Sequence, residues 1–213
     1  MKLPHKTLEK KLFKSGYRYI IGVDEVGMGC LAGPVVVCAV AMTNHFYNKH
    51  HKKLRWLRES KLLLPHQREK FAEELLKEKD LVYAISSVSS KMIDKINIYQ
   101  AARLGMKNAI KKLKPSFDLK TIVLVDGKTK IKGVDYEQIP IVKGDRKIFA
   151  IACASILAKV HRDKLMDKYG KKYPGYGFEK HKGYGTKYHQ IQLNALGPCE
   201  IHRRSFAPVG KLL

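Results

Sequence analysis

Four carboxylates carry the strongest chemical signal in the sequence: Asp24 with Glu25, Asp126, and Asp145. Each follows a short apolar run and precedes or adjoins a glycine, as in Tyr19-Ile-Ile-Gly-Val-Asp24-Glu25-Val-Gly27, Leu124-Val-Asp126-Gly127 and Lys143-Gly144-Asp145. An ionised carboxylate at the end of a buried strand is costly unless a cation or hydrogen bonds compensate it. Strand ends of an α/β sheet can converge on one edge, where four oxygen ligands suit a hard divalent cation, Mg²⁺ or Mn²⁺. Taken singly, Asp126 before a glycine is ordinarily a turn residue, and Asp145 before a helix can serve only to oppose the helix dipole. The adjacent pair is harder to explain as structure. Neighbouring side chains on a regular strand face opposite ways, so Asp24 and Glu25 share one site only if the strand bends or ends at Glu25. Gly27 and Gly29 permit that. Asp163, by contrast, sits among charges in Lys159-Val-His-Arg-Asp163 and reads as an ion-pair partner within a helix.

The elements that must hold these acids follow from the hydrophobic pattern. Residues 5–14 suit a short basic helix, and 19–25 and 34–42 are strands joined as a hairpin through the 27–33 turn. Residues 44–64 are polar and basic and read as a loop. Pro65 opens a helix to about Lys79, with Phe71, Leu75 and Leu76 on one face, before a strand at 81–88. Asn97 is the expected N-cap of a helix to Leu113, whose small residues suggest close packing on a sheet. Strands at 121–125 and 139–142 then lead into Asp126 and Asp145, and 146–168 is the most apolar helix. This order predicts an α/β fold, a mixed sheet flanked by helices. One domain is expected, with a core over 1–168 and a small C-terminal helix and loop region over 169–213 packed on it. That region contains a helix at 186–196 and is rich in Gly, Tyr, His and Lys, offering stacking rings together with phosphate donors.

Composition narrows the partner. The chain has 213 residues, 45% of them hydrophobic, which suits one well-packed domain and argues against disorder. Its 42 Lys+Arg against 19 Asp+Glu give a formal charge of +23, a field suited to a polyanion, with nucleic acid the leading candidate. The four cysteines form no C-x-x-C pair, so reduced, mostly buried thiols are expected rather than a zinc site or a disulfide framework. The start has no apolar core of a secretory signal, and no run reaches the roughly 18 apolar residues of a membrane helix. A soluble cytoplasmic monomer is expected.

The string Asp24-Glu-Val-Gly-Met-Gly-Cys-Leu-Ala-Gly-Pro-Val35 resembles the opening signature of type 2 ribonuclease H, ribonuclease HII. Six further segments resemble the family in its order: Glu59-Ser-Lys-Leu62, Leu124-Val-Asp-Gly127, Lys143-Gly-Asp145, Ala152 to Asp163, His181-Lys-Gly-Tyr-Gly-Thr186 and His202-Arg-Arg-Ser-Phe206. The resemblance implies a ribonuclease H-like fold and an endonuclease that cuts the RNA strand of RNA–DNA hybrids, including a single ribonucleotide embedded in duplex DNA. It also implies that Asp24, Glu25, Asp126 and Asp145 are the metal-binding catalytic acids. Two Mg²⁺ or Mn²⁺ ions about 4 Å apart would activate a water and stabilise the leaving 3′ oxygen, giving 5′-phosphate and 3′-hydroxyl ends. Since water and not the 2′-hydroxyl attacks, His181, His189 and His202 fall to binding or structure.

By the same resemblance, the Gly27-Met28-Gly29 backbone approaches the 2′-hydroxyl and Tyr184 stacks on the adjoining deoxyribose. Ser60, Lys61, Lys143, Arg162, His202, Arg203 and Arg204 are the expected phosphate or substrate contacts. The chain departs from the family pattern at Met28, usually Arg, and at Glu59, usually Asp. Two alternatives remain open: a ribonuclease HIII-like hybrid nuclease and a non-catalytic basic binder of the same fold. The first typically has an added N-terminal domain, for which the residues before Tyr19 leave no room. The second would be expected to lose an acid.

Overall fold

A computed structural model describes residues 8–52, 64–113 and 120–213. Its centre is a five-stranded sheet formed by β1 (Tyr19–Val26), β2 (Val35–Thr43), β3 (Leu81–Val88), β4 (Thr121–Asp126) and β5 (Glu137–Ile141), in the order β3-β2-β1-β4-β5. The β1–β2 and β2–β3 pairs are antiparallel, whereas β4 runs parallel to both β1 and β5. The expected hairpin and mixed sheet are both present.

Helices cover both faces. They are α1 (Leu8–Lys14), α2 (Asn44–His50), α3 (Pro65–Leu76), α4 (Ser90–Ile96), α5 (Ile98–Lys112), α6 (Phe149–Lys172), α7 (Phe178–His181), α8 (Lys187–Leu196) and α9 (Ala207–Gly210). The strand period of two sorts β2 between them: Val36, Cys38, Val40 and Met42 pack with α6, while Val37, Ala39 and Ala41 join Met106, Ala109 and Ile110 of α5. Both faces are therefore dry, which is why β2 is a continuous apolar run.

The start of α6 lies directly on β1. A Cβ at Gly22 would fall 2.2 Å from the Ala150 carbonyl carbon, so only glycine admits this helix so close to the acid-bearing strand. Glu9, buried in α1, accepts from the amides of Phe149 (3.2 Å) and Ala150 (2.9 Å), capping α6 from across the fold.

Several expected boundaries differ. Part of the expected 44–64 loop is α2, started by Thr43, whose hydroxyl accepts from the Phe46 amide at 3.3 Å, and held by the burial of Phe46 and Tyr47 against Phe149. In α3 the buried residues are Ala72 and Leu75, and Leu76 is exposed. Asn97 caps α5 as expected, its side chain accepting from the Gln100 amide at 3.0 Å, but α4 precedes it with no gap beyond Asn97 itself. The expected 146–168 helix begins at Phe149, after a 3-10 turn at Gly144–Arg146, and continues to Lys172. No described helix is long and apolar enough to cross a membrane.

Candidate active site

The four acids meet at one end of the sheet. Asp24 and Glu25 lie near the end of β1, Asp126 is the last residue of β4 beside it, and Asp145 sits in the 3-10 turn that follows β5. The parallel ladder between β1 and β4 stops at Val23–Val125, while the antiparallel ladder to β2 runs on to Val26–Val36. Thus β1 does not end at Glu25, where the sequence suggested a bend or an end; it parts from β4 on one side only, at the level of Asp24 and Asp126.

Local hydrogen bonds fix two of these side chains. Asp24 turns back on its own chain, accepting from the Glu25 amide at 2.8 Å. Asp126 accepts from the Gly144 amide at 2.6 Å, which ties the end of β4 to the turn carrying Asp145. Lys143 enters that turn with φ 56°, in the left-handed region. A Cβ at Gly144 would stand 2.5 Å from Ile151 and 3.2 Å from the Asp126 oxygen, so the close approach needs glycine.

Asp24 is the electrostatic centre. It is 4% exposed, and its pKa is driven well above the usual carboxylate range, first by burial, then by the charges of Glu25 and Asp126 and, less, of Asp145; a hydrogen bond with Ser155 of α6 opposes the rise. Among the described residues no group of three or more His, Cys, Asp or Glu side chains is already arranged to hold a metal ion. What the acids share is a field of one sign, concentrated on a buried oxygen donor. Such a donor set fits a hard divalent cation, which would return Asp24 to its ionised form.

The 27–34 turn beside the acids is held by two buried arginines. Arg162 of α6 donates to the carbonyls of Pro34 (Nε, 3.0 Å), Ala32 (Nη2, 3.1 Å) and Lys182 (Nη1, 2.8 Å). Arg203 donates to Gly33 (Nε, 3.0 Å), Met28 (Nη1, 3.0 Å) and Gly27 (Nη2, 2.7 Å). Both side chains are fully buried, and burial lowers the Arg203 pKa to about 10, which leaves it charged at neutral pH. Gly27, at φ 95°, has no room for a Cβ, which would stand 2.4 Å from Arg162 Nε. The expected phosphate contacts Arg162 and Arg203 are thereby replaced: their guanidinium groups face peptide carbonyls instead of solvent.

His202 is likewise internal. The Cys199 amide donates to its Nδ1 at 3.0 Å, which leaves the proton on Nε2. That Nε2 faces His189 Nε2 at 3.1 Å, and His189 Nδ1 in turn lies 2.8 Å from the Tyr184 carbonyl. One set of neutral tautomers satisfies the chain, His202 donating to His189 and His189 to Tyr184. Burial accordingly lowers both pKa values to about 4. His181 stacks on His189 with ring centroids 4.3 Å apart.

Other expected contacts are placed where a ligand can reach them. Tyr184 is 41% exposed and bridges to Cys30, so it flanks the turn. Gly29, Lys143 and Arg204 are exposed, and nothing lies within 4 Å of where a Gly29 Cβ would be. Asp163 pairs with Lys159 at 2.7 Å and Arg68 at 3.9 Å, the structural role expected of it. Cys30, Cys38, Cys153 and Cys199 are free thiols, the first three buried.

The family model for ribonuclease HII matches residues 21–209. The chain belongs to the ribonuclease HII family. It is 52% identical over 199 residues to ribonuclease HII of Caldicellulosiruptor bescii, covering 93% of this chain and 91% of that protein. Against ribonuclease HII of Acholeplasma laidlawii the identity is 46% over 213 residues, 100% of this chain and 99% of the relative. The crystal structure of ribonuclease H2 from Pyrococcus horikoshii superposes with a TM-score of 0.74 at 27% identity, covering 91% of this chain and 96% of that one. The protein is thus an RNA–DNA hybrid endoribonuclease of a divalent-metal-dependent family.

Within this family the Met28 departure has a structural reading. Its half-buried side chain packs against the apolar cluster of Val35, Val88, Ile93, Ala101 and Ala102. Glu59, Ser60 and Lys61 lie outside the described residues.

Proposed function

We propose that this ribonuclease HII chain cuts at single ribonucleotides embedded in duplex DNA as well as in longer hybrids, leaving 5′-phosphate and 3′-hydroxyl ends. The observation that carries the reading is the convergence of Glu25, Asp126 and Asp145 on the buried Asp24 at the open end of the sheet. These four residues would hold two Mg²⁺ or Mn²⁺ ions, which when bound supply a water made nucleophilic near neutral pH and stabilisation of the leaving oxygen.

The chain's own residues supply position. The Glu25 and Gly144 amides hold Asp24 and Asp126, so little ordering is left to the moment of binding. The Gly27-Met28-Gly29 backbone meets the ribose 2′-hydroxyl, and Tyr184, exposed beside it, stacks on the adjoining deoxyribose. Lys143 and Arg204 contact phosphates, joined by Ser60 and Lys61. Residues 169–213 act as the substrate-binding part of a single domain, and the protein works as a cytoplasmic monomer. His181, His189 and His202 take no proton in the reaction, because their nitrogens are engaged within the fold.

Asp126→Asn is expected to abolish cleavage of a duplex carrying one ribonucleotide while binding persists. Full activity in that variant would overturn the site.

A further inference from the structure

Arg203 reaches across the fold to the turn that follows the catalytic pair, and its choice of acceptors has a geometric consequence. It holds the carbonyls of Gly27 and Met28 with its two terminal nitrogens and that of Gly33 with Nε. Across a planar trans peptide the C=O of one residue and the N–H of the next point in opposite directions, and the chain has no cis peptide bond among its described residues. Drawing the Gly27 and Met28 carbonyls toward the buried guanidinium therefore turns the Met28 and Gly29 amides to the opposite side. Neither amide donates to another described residue. Gly29 is exposed and has open space where a Cβ would be.

The two amides stand three to five residues beyond the Asp24–Glu25 pair, and the isolated bridge from Cys30 to Tyr184 sets the exposed tyrosine beside them. A pair of adjacent backbone donors, aimed outward between the acids and a stacking ring, fits a single oxygen acceptor on a sugar. Arg is suited to the clamp and Lys is not: a planar fork can meet three carbonyls in fixed directions, whereas an ammonium is a point charge. Phe206 supports the fork from its face, with the guanidinium carbon 5.1 Å from the ring centroid.

We propose that Arg203 is a positioning residue for ribose selection: it orients the Met28 and Gly29 amides as a donor pair for the substrate 2′-hydroxyl without touching substrate itself. This rests on the reading that the 27–29 turn meets the ribose, and it assigns that ability to a residue far away in sequence. A merely structural Arg203 would, when altered, weaken binding of every duplex alike. A positioning Arg203 changes the ratio between duplexes that differ in one oxygen atom.

The test is equilibrium binding in EDTA, by fluorescence anisotropy, of two duplexes of one sequence, one all DNA and one with a single ribonucleotide. In the wild type the ribonucleotide duplex is expected to bind tighter by about tenfold, the size of one or two net hydrogen bonds. Arg203→Lys is expected to bring that ratio to within about twofold of unity and to leave the all-DNA affinity within about twofold of wild type. A wild-type ratio of one would overturn the reading of the turn itself, and the clamp with it. A large wild-type ratio that persists in folded Arg203→Lys would overturn the clamp alone. If Arg203→Lys does not fold, Phe206→Leu takes its place, because it frees the guanidinium without removing it. A two- to threefold fall in the ratio is then expected, and an unchanged ratio overturns the proposal.

Discussion

The acid-bearing end of the sheet and the turn that follows it are neighbours in sequence, yet they are built on opposite principles. Around Asp24 like charges are gathered on a buried oxygen and only partly answered, by the Ser155 hydrogen bond and the Glu25 amide. Around the turn, two buried arginines spend six hydrogen bonds on carbonyls, and the His202–His189–Tyr184 chain closes with neutral tautomers. The first region stores a demand for cations. The second is finished before any ligand arrives. Chemistry that depends on a metal is thus placed next to recognition that depends on rigid backbone, and each carries its own electrostatic signature.

The largest effect should come from removing the demand. Asp24→Asn is expected to lower cleavage on the order of 10³-fold or more, the scale of losing metal-assisted charge stabilisation. It should also stabilise the metal-free protein. Burial and like charges raise the Asp24 pKa, so the folded chain holds this proton to a higher pH than the unfolded chain, whose value is near 3.8. Native stability therefore falls as pH rises from the unfolded value through the folded one, and Asn escapes that loss. At pH 8 in EDTA the variant should melt about 3 to 6 °C above wild type. Millimolar Mg²⁺ should raise the wild-type Tm and leave the variant unmoved. A variant that melts below wild type would mean that the acids are already compensated, and the contrast between the regions would fail.

How much of this was legible in sequence divides along the same line. The acids could be read because a charge at the end of an apolar, β-branched run is conspicuous: Val23-Asp24 and Val125-Asp126 signal a site by violating the pattern around them. The strands were legible for the same reason. The arginines were not, since Arg203 beside Arg204 carries the same letter whether it faces a phosphate or the Gly27 carbonyl, and that choice is made by a contact spanning most of the chain. Arg162 did leave a trace. Ala158, Arg162 and Met166 lie four apart on α6 and are all buried, so helical spacing places Arg162 on an apolar stripe where a solvated charge does not belong. The helix α2 was hidden because its two buried rings, Phe46 and Tyr47, sit among Asn, His and Lys. Glu9 gave no local sign that it caps a helix 140 residues away.

A smaller effect, of opposite sign in pH, is expected from the histidine chain. His189 and His202 have pKa values of about 4 in the fold, against an ordinary value of 6.5, because burial disfavours their charged forms. The unfolded chain thus binds more protons between these two values, and the stability that neutral histidines contribute is complete above 6.5 and lost as pH falls toward 4. Urea midpoints from pH 4 to 8 should fall on the acid side in wild type, and the slope should flatten in His202→Gln whatever its starting stability. Parallel profiles for the two proteins would remove the pair from the account. The opposite slopes are what separates the regions: acidification relieves the carboxylates and strains the turn's support.

The smallest effect is expected where the two regions touch, at Met28. Its backbone belongs to the clamped turn, its carbonyl accepting from Arg203, while its side chain packs with Val35 and Ile93. Met28→Arg should therefore forfeit about 1 kcal/mol of apolar contact, because the aliphatic part of Arg can cover much of the same surface. The guanidinium would be carried to the rim, where one added phosphate contact would steepen the dependence of log affinity on log salt by about one. Selectivity for ribose over deoxyribose in the binding assay should stay within about twofold of wild type, since the amides that face the sugar are fixed from behind by Arg203. If Met28→Arg instead changed that selectivity tenfold, the side chain and not the clamped backbone would be reading the sugar, and rigidity would no longer distinguish the turn from the acids beside it.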